Sequence, residues 1–185
     1  MDNPGAILST LDGHLDHEVM LVLYGRAAIH LGFDQPPPAA GGSMDVDAII
    51  PMDQLDALSA DEGFWDAQDK TNRGLADRGL YITHLFREQE VFLRRSWRAH
   101  VVPITKLRLR FLRLFRPATI DLILTKMMRG ADAQDLSDIA FMIGHDHVSW
   151  VQLEEAFAEA RLPDIVELHD AFKKARPAVL ALAGH

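Results

Sequence analysis

The chain contains no cysteine, which excludes a disulfide framework, a cysteine-ligated zinc site and a thiol nucleophile. Long apolar runs are also missing: the most hydrophobic stretches, residues 19–24 and 120–124, fall far short of the ~20 residues that a membrane-spanning helix needs. The opening Met1-Asp2-Asn3-Pro4 is polar and acidic, where a secretory signal starts basic and continues apolar. These absences read as a cytoplasmic protein with no membrane partner. What is present suffices for an ordinary core. The chain has 185 residues, 48% hydrophobic and 25% charged, a size at which one domain with a small appendage folds without staples.

The formal net charge of −8 is unevenly spread. Between residues 87 and 116 stand nine basic side chains (Arg87, Arg94, Arg95, Arg98, Lys106, Arg108, Arg110, Arg113 and Arg116) against only Glu88 and Glu90. The local balance is +7, so the other 155 residues carry −15. A block of one sign inside a chain of the other reads as a footprint for a polyanion, because steering follows the local field. The solvated outer face of a sheet is the alternative reading.

Periodicity places the elements. Residues 17–24 are apolar, end at Gly25 and lead into Ala27-Ala28-Ile29-His30-Leu31, giving a strand, a tight turn and a helix. Pro36-Pro37-Pro38 and Gly41-Gly42 mark residues 32–43 as a loop, and residues 44–50 form a strand closed by Pro51. Two helices are expected over 52–78, a hairpin from 80–86 and 91–93, and a strand over 99–104. Another strand is expected over 106–114, where Lys106, Arg108 and Arg110 alternate with Leu107, Leu109 and Phe111. After Pro117 the pattern is helical, with Gly130 as a stop, Asp132 as a start and Ser149-Trp150-Val151-Gln152 as a capping box. No internal repeat is present. The expected fold class is α+β (mixed α/β): a mixed sheet flanked by helices in residues 1–116, then a helical C-terminal part, residues 117–185, packed on it.

The most informative words are Tyr24-Gly25-Arg26 and Ser43-Met44-Asp45-Val46-Asp47. Residues two apart on a strand face one side, so Asp45 and Asp47 present both carboxylates to one spot. Paired hard oxygen ligands suit Mg²⁺, which completes its shell with waters and phosphates. A glycine turn opening a helix supplies amide donors and a dipole that suit a triphosphate. Two solvated acids on an exposed strand are the plain alternative.

The order of these words, apolar strand, glycine, helix, loop and Ser-x-Asp-apolar-Asp-apolar, resembles the core of the nucleotidyltransferase superfamily related to DNA polymerase β. Lys126, Arg129 and Asp135-Leu136-Ser137-Asp138 are similar to the Lys…Arg…Asp-x-x-Asp helical motif of the abortive-infection type nucleotidyltransferases, toxins of some bacterial toxin–antitoxin pairs. The resemblance spans residues 19–143. It implies a minimal nucleotidyltransferase fold, an NTP substrate, Mg²⁺ or Mn²⁺ as cofactor, and transfer of a nucleotidyl group to an RNA (such as a tRNA) or protein acceptor through the basic region. An antitoxin is the further partner implied. Carried over by position, Gly25 is the phosphate-loop glycine with Arg26 beside it, and Ser43 stands two before the first acid. Asp45 and Asp47 are the metal ligands, Lys126 a phosphate or transition-state contact, and Asp135 or Asp138 a helper acid. For these last three a structural reading is equally open: an acid at a helix start complements the dipole, and Asp138 can bridge to Lys126 or Arg129.

Three departures stand out. Arg26 replaces a small residue, Gly41-Gly42 replaces a basic one, and no acid occurs inside a later strand, where His84 and His100 stand instead. A histidine can act as a base near neutral pH, although a lone strand histidine more commonly serves structure. His145-Asp146-His147 reads as a helix end rather than a metal site. Trp65, Trp97 and Trp150 read as core or interface anchors, with base stacking by Trp97 as a second reading. Two functions follow: an active metal-dependent nucleotidyltransferase, or a catalytically inactive nucleotide-binding or protein-interaction module on the same fold.

Overall fold

The computed structural model describes residues 2–83 and 85–184. The chain divides into two compact units, Met1–Arg87 with Val102–Arg116, and Glu88–Val101 with Pro117–His185. Residues 88–101, assigned by sequence pattern to the sheet part, thus group with the helical one.

The first unit opens with α1 (Asn3–His14), whose N-cap Asp2 accepts from the Gly5 amide at 2.7 Å. Next come β1 (Val19–Tyr24) and α2 (Gly25–Gly32). The loop to Ser43 contains a 3-10 turn, Pro38–Gly42, that buries Ala40. β2 (Asp45–Ile50), α3 (Leu55–Ser59) and α4 (Glu62–Leu75) are the expected strand and helix pair. The expected hairpin does not form, because Arg87-Glu88-Gln89-Glu90 offers no residue suited to a hairpin's left-handed positions; residues Glu88–Glu90 make a 3-10 turn. β3 (Tyr81–Ile82) and β4 (Phe86–Arg87) instead both run parallel to β2. The chain then leaves this unit for β5 (Leu93–Arg94) and returns for β6 (Val102–Pro103) and β7 (Leu112–Arg116).

The strand expected over 106–114 begins only at Leu112. The Asp12 carboxylate accepts the backbone N–H groups of Arg110, Phe111 and Leu112, each at 2.8 Å, so the approach to the strand is held by a side chain instead of a ladder. Leu107 and Leu109 are only half-buried, and the alternating basic residues line a bent loop.

The sheet order is β3-β2-β1-β7-β6, with β4 also on β2; β1 is antiparallel to β2 and parallel to β7. The fold is therefore α+β with a mixed sheet. Helices α1, α2 and α4 pack against it. On one face Leu21, Leu23, Val46, Ala48, Ile82, Leu112 and Leu114 are all buried. On the other, Tyr24, Asp45 and Asp47 are half-buried and Tyr81 is exposed.

In the second unit α5 (Thr119–Lys126), α6 (Ala133–Asp146), α7 (Trp150–Glu159) and β8 (Ala160–Arg161), which pairs antiparallel with β5, precede α8 (Val166–Leu182). The boundary signals act locally. Asp132 accepts from the amides of Gln134 and Asp135, Ser149 and Gln152 cap each other's backbone reciprocally, and Gly130 at φ +70° closes the turn after α5. The core gathers Trp97, Leu122, Ile123, Met127, Met142 and Leu153, with Phe172 edge-on to Phe92 and Phe157 at 5.8 and 5.6 Å. Trp97 is 1% exposed, so it is a core anchor and offers no stacking surface. His147 ends α6 in the left-handed region, and His145 Nδ1 lies 2.5 Å from Asp146.

Candidate functional site

Antiparallel pairing of β1 and β2 sets Tyr24 opposite Asp47, and strand alternation turns Asp45 and Asp47 to the same side. Two hydroxyls fix the carboxylates. Ser43 Oγ donates to Asp45 Oδ1 at 2.9 Å, and Thr83 Oγ1 donates to Asp47 Oδ1 at 2.6 Å. Thr83 was not legible as a site residue, being 36 positions from Asp47; the parallel register Val46↔Ile82 delivers it. The only trace in the sequence is its place two residues beyond Tyr81 on an alternating strand.

Gly25 closes the other side. Its φ is +65°, and a Cβ built on it meets Asp47 Oδ2 at 3.3 Å. Glycine suits the left-handed backbone, and a Cβ there would crowd the Asp47 carboxylate. α2 starts here without a side-chain cap, and a helix start carries the positive end of the helix dipole. Arg26 follows at once, half-buried, with Nε and one terminal nitrogen enclosed. Gly25, Ser43, Asp45 and Asp47 are thereby brought together, with Arg26 the next residue along the chain from Gly25.

The donor chemistry fits a hard divalent cation. Two strand-mounted carboxylates, each steadied by a hydroxyl, are the anchor that Mg²⁺ or Mn²⁺ takes when waters and phosphate oxygens fill the other positions. Among the described residues no cluster of three or more His, Asp or Glu side chains forms a larger metal cage. His84 lies outside the described residues. His100 is exposed in a 3-10 turn of the second unit, not on a strand.

Lys126, Asp135 and Asp138 belong to the second unit and bind one another. Lys126 Nζ donates to Asp135 Oδ1 at 3.0 Å and Asp138 Oδ2 at 2.7 Å, and Arg129 Nε donates to Asp135 Oδ2 at 2.6 Å. Burial alone would raise the Asp135 pKa; the Arg129 hydrogen bond and the Lys126 charge outweigh it and hold the carboxyl below its usual range. Two cations facing two acids, with Lys126, Asp135 and Asp138 buried, tie the end of α5 to the start of α6. Nearby, fully buried Asp121 accepts from Arg94 N, Nε and Nη2 at 3.0, 3.1 and 2.8 Å, anchoring β5 to α5. Its helix position gave no sign of that role.

The basic region does not form one strand face. Arg94 is committed to Asp121. Arg116 is buried, donates to the Gly32 carbonyl at 3.1 Å and lies 4.1 Å over the Phe33 ring. Lys106 Nζ donates to the His30 and Phe33 carbonyls at the end of α2, and Arg113 pairs with Glu18 at 2.9 Å. Arg87, Arg108 and Arg110 of the first unit and Arg95 of the second are exposed. Comparison of the chain with protein-family models, with curated proteins and with solved structures finds no match to any of them.

Proposed function

We propose that this chain is a divalent-metal-dependent nucleotidyltransferase, moving a nucleotidyl group from an NTP to an RNA or protein acceptor as the toxin of a toxin–antitoxin pair. One observation carries the reading: the Asp47 carboxylate lies against the Gly25 turn, 3.3 Å from where a Cβ would stand, while Asp45 shares its strand face. A phosphate-binding turn and a cation-binding pair so close match what a nucleoside triphosphate needs, since its charge is borne by amides at one end and by a cation at the other.

In this reading the Gly25 turn and the first amides of α2 bind the outer phosphates, with Arg26 adding positive charge beside them. Asp45 and Asp47 hold the cation, and Ser43 and Thr83 keep the two carboxylates aimed. A divalent ion at this pair neutralises charge on the phosphate oxygens as a Lewis acid. Lys126, Asp135 and Asp138, assigned to chemistry by resemblance, are better described as an internal ion-pair cluster. Incubation with each α-labelled NTP, with RNA and protein acceptors, tests the proposal. Label moves to an acceptor, and Asp47→Asn lowers transfer at least about a hundredfold with an unchanged circular dichroism melt. No transfer with any of the four NTPs would sink it.

A second reading, a nucleotide-binding or interaction module without catalysis, is favoured by Arg26, a bulky half-buried side chain directly after the turn. It expects NTP binding by calorimetry with no transfer, and Arg26→Ser then alters affinity alone.

A further inference from the structure

The carboxylate pair is flanked by an aromatic side chain that the proposed chemistry does not use. Tyr81 pairs in register with Asp45 across the parallel β2–β3 ladder. Register partners point to the same side of a sheet, with backbones ~4.8 Å apart. Tyr81 therefore rises from the face that carries Asp45 and Asp47, one strand outward. It is 44% exposed although it sits in a strand whose next residue, Ile82, is 3% exposed. Tyr24, on the same face beyond Asp47, is accounted for differently: its ring packs edge-on against Phe86 at 5.6 Å. Met44 is also exposed, but its end lies over Gly79, 3.3 Å from where a Cβ would stand, and strand alternation sets it on the opposite side from Asp45.

We infer that Tyr81 is the nucleobase platform of this site: its ring stacks the base of a nucleoside triphosphate whose phosphates reach Asp45, Asp47 and the Gly25 turn. The inference rests on the nucleotide reading above and adds where the base lies. The geometry suits it. Gly25 follows β1 on one side of β2, Asp45 and Asp47 stand on β2 itself, and Tyr81 lies on β3 on the other side, so an extended nucleotide crosses β2 with triphosphate and base at opposite ends and its cation between them. A tyrosine face accepts every base, because stacking uses the π-surface and reads no hydrogen-bonding edge. Weak discrimination among the four NTPs follows, any preference coming from stacking strength, with purines ahead of pyrimidines.

Calorimetric titration of the full chain with each of the four NTPs and with inorganic tripolyphosphate, all in Mg²⁺, tests this. Tripolyphosphate has the charges and no base. Tyr81→Ala weakens NTP binding roughly tenfold and leaves tripolyphosphate unchanged, while Tyr81→Phe binds as the parent does. Equal losses for NTP and tripolyphosphate would assign Tyr81 a merely structural role and overturn the proposal. Unchanged NTP affinity in Tyr81→Ala would overturn it too, with the carboxylate–turn reading left standing. A parent chain that binds neither NTP nor tripolyphosphate removes both.

Discussion

At the scale of single residues, the site depends on two small features, a glycine that admits an acid and a hydroxyl that aims it. Gly25→Ala forces a left-handed alanine, which costs about 1 kcal/mol, and sets a methyl 3.3 Å from Asp47 Oδ2. The expected outcome is a modest fall in the urea midpoint together with loss of Mg²⁺-dependent NTP binding. Thr83→Val keeps the shape and removes the donor to Asp47. Stability should change by less than about 1.5 kcal/mol, whereas the apparent affinity for Mg²⁺ in the transfer assay falls; an unchanged Mg²⁺ titration would show that Thr83 does not orient the acid. The Asp45/Asp47 pair and Gly25 were legible because the patterns that mark them are local, two acids one strand period apart and a glycine at a strand–helix turn. Thr83 and Asp121 were not, since each meets its partner only through strand pairing or helix packing.

At the scale of elements, side chains far apart in sequence fasten the pieces. Lys126 joins α5 to α6, and Lys126→Met leaves Asp135 and Asp138 buried without their shared cation. The loss should be about 3 kcal/mol, measured as a shift of the denaturation midpoint, with any transfer activity surviving at temperatures where the variant is folded. Loss of transfer at full stability would restore a chemical role to Lys126. His17, two residues before β1, fastens the approach to that strand to α4: Nδ1 lies 2.7 Å from Asp16 Oδ1, and Nε2 lies 2.7 Å from Asp61 Oδ2, the N-cap of α4. The hydrogen bond with Asp16, then that with Asp61, raises the His17 pKa above its usual value. A raised histidine pKa means that the native state holds the proton more tightly than the unfolded chain. This contribution is complete below about pH 6.5 and is lost as pH rises through the native value. Urea midpoints should thus fall from pH 6 to pH 8.5, and His17→Gln should flatten that part of the profile; an identical slope in the variant would exclude His17 as its source.

At the scale of the whole molecule, the chain crosses between its two units three times, and the first unit is completed only by residues 102–116. β7 is the parallel neighbour of β1, carries buried Leu112 and Leu114, and supplies one of the three amides that Asp12 gathers, that of Leu112, the other two lying just before it. A chain ending at Val101 should show no cooperative unfolding transition by circular dichroism, because β1 then loses its ladder on one side and its core face loses both leucines. A sharp transition in that fragment would mean that β1 and β2 with their helices suffice.

Charge belongs to this scale as well. The +7 block reads along the chain as one basic face, but folding divides it between units and commits Arg94, Arg116, Lys106 and Arg113 to partners distant in sequence. What the sequence by itself determined is whatever depends on neighbours along the chain: the α+β class, the helix caps at Asp132 and Ser149, the turn at Gly25, and two acids on one strand face. Tertiary structure alone decided what depends on meetings across the fold. It decided that Tyr81 and Thr83 lie beside the acids, that Leu93 and Arg94 pair with β8 and not in a hairpin, and that Lys126, Asp135 and Asp138 bind each other. The physical reason is that alternation and capping act within a few residues, whereas strand register and the pairing of buried charges are selected by the energy of the assembled core.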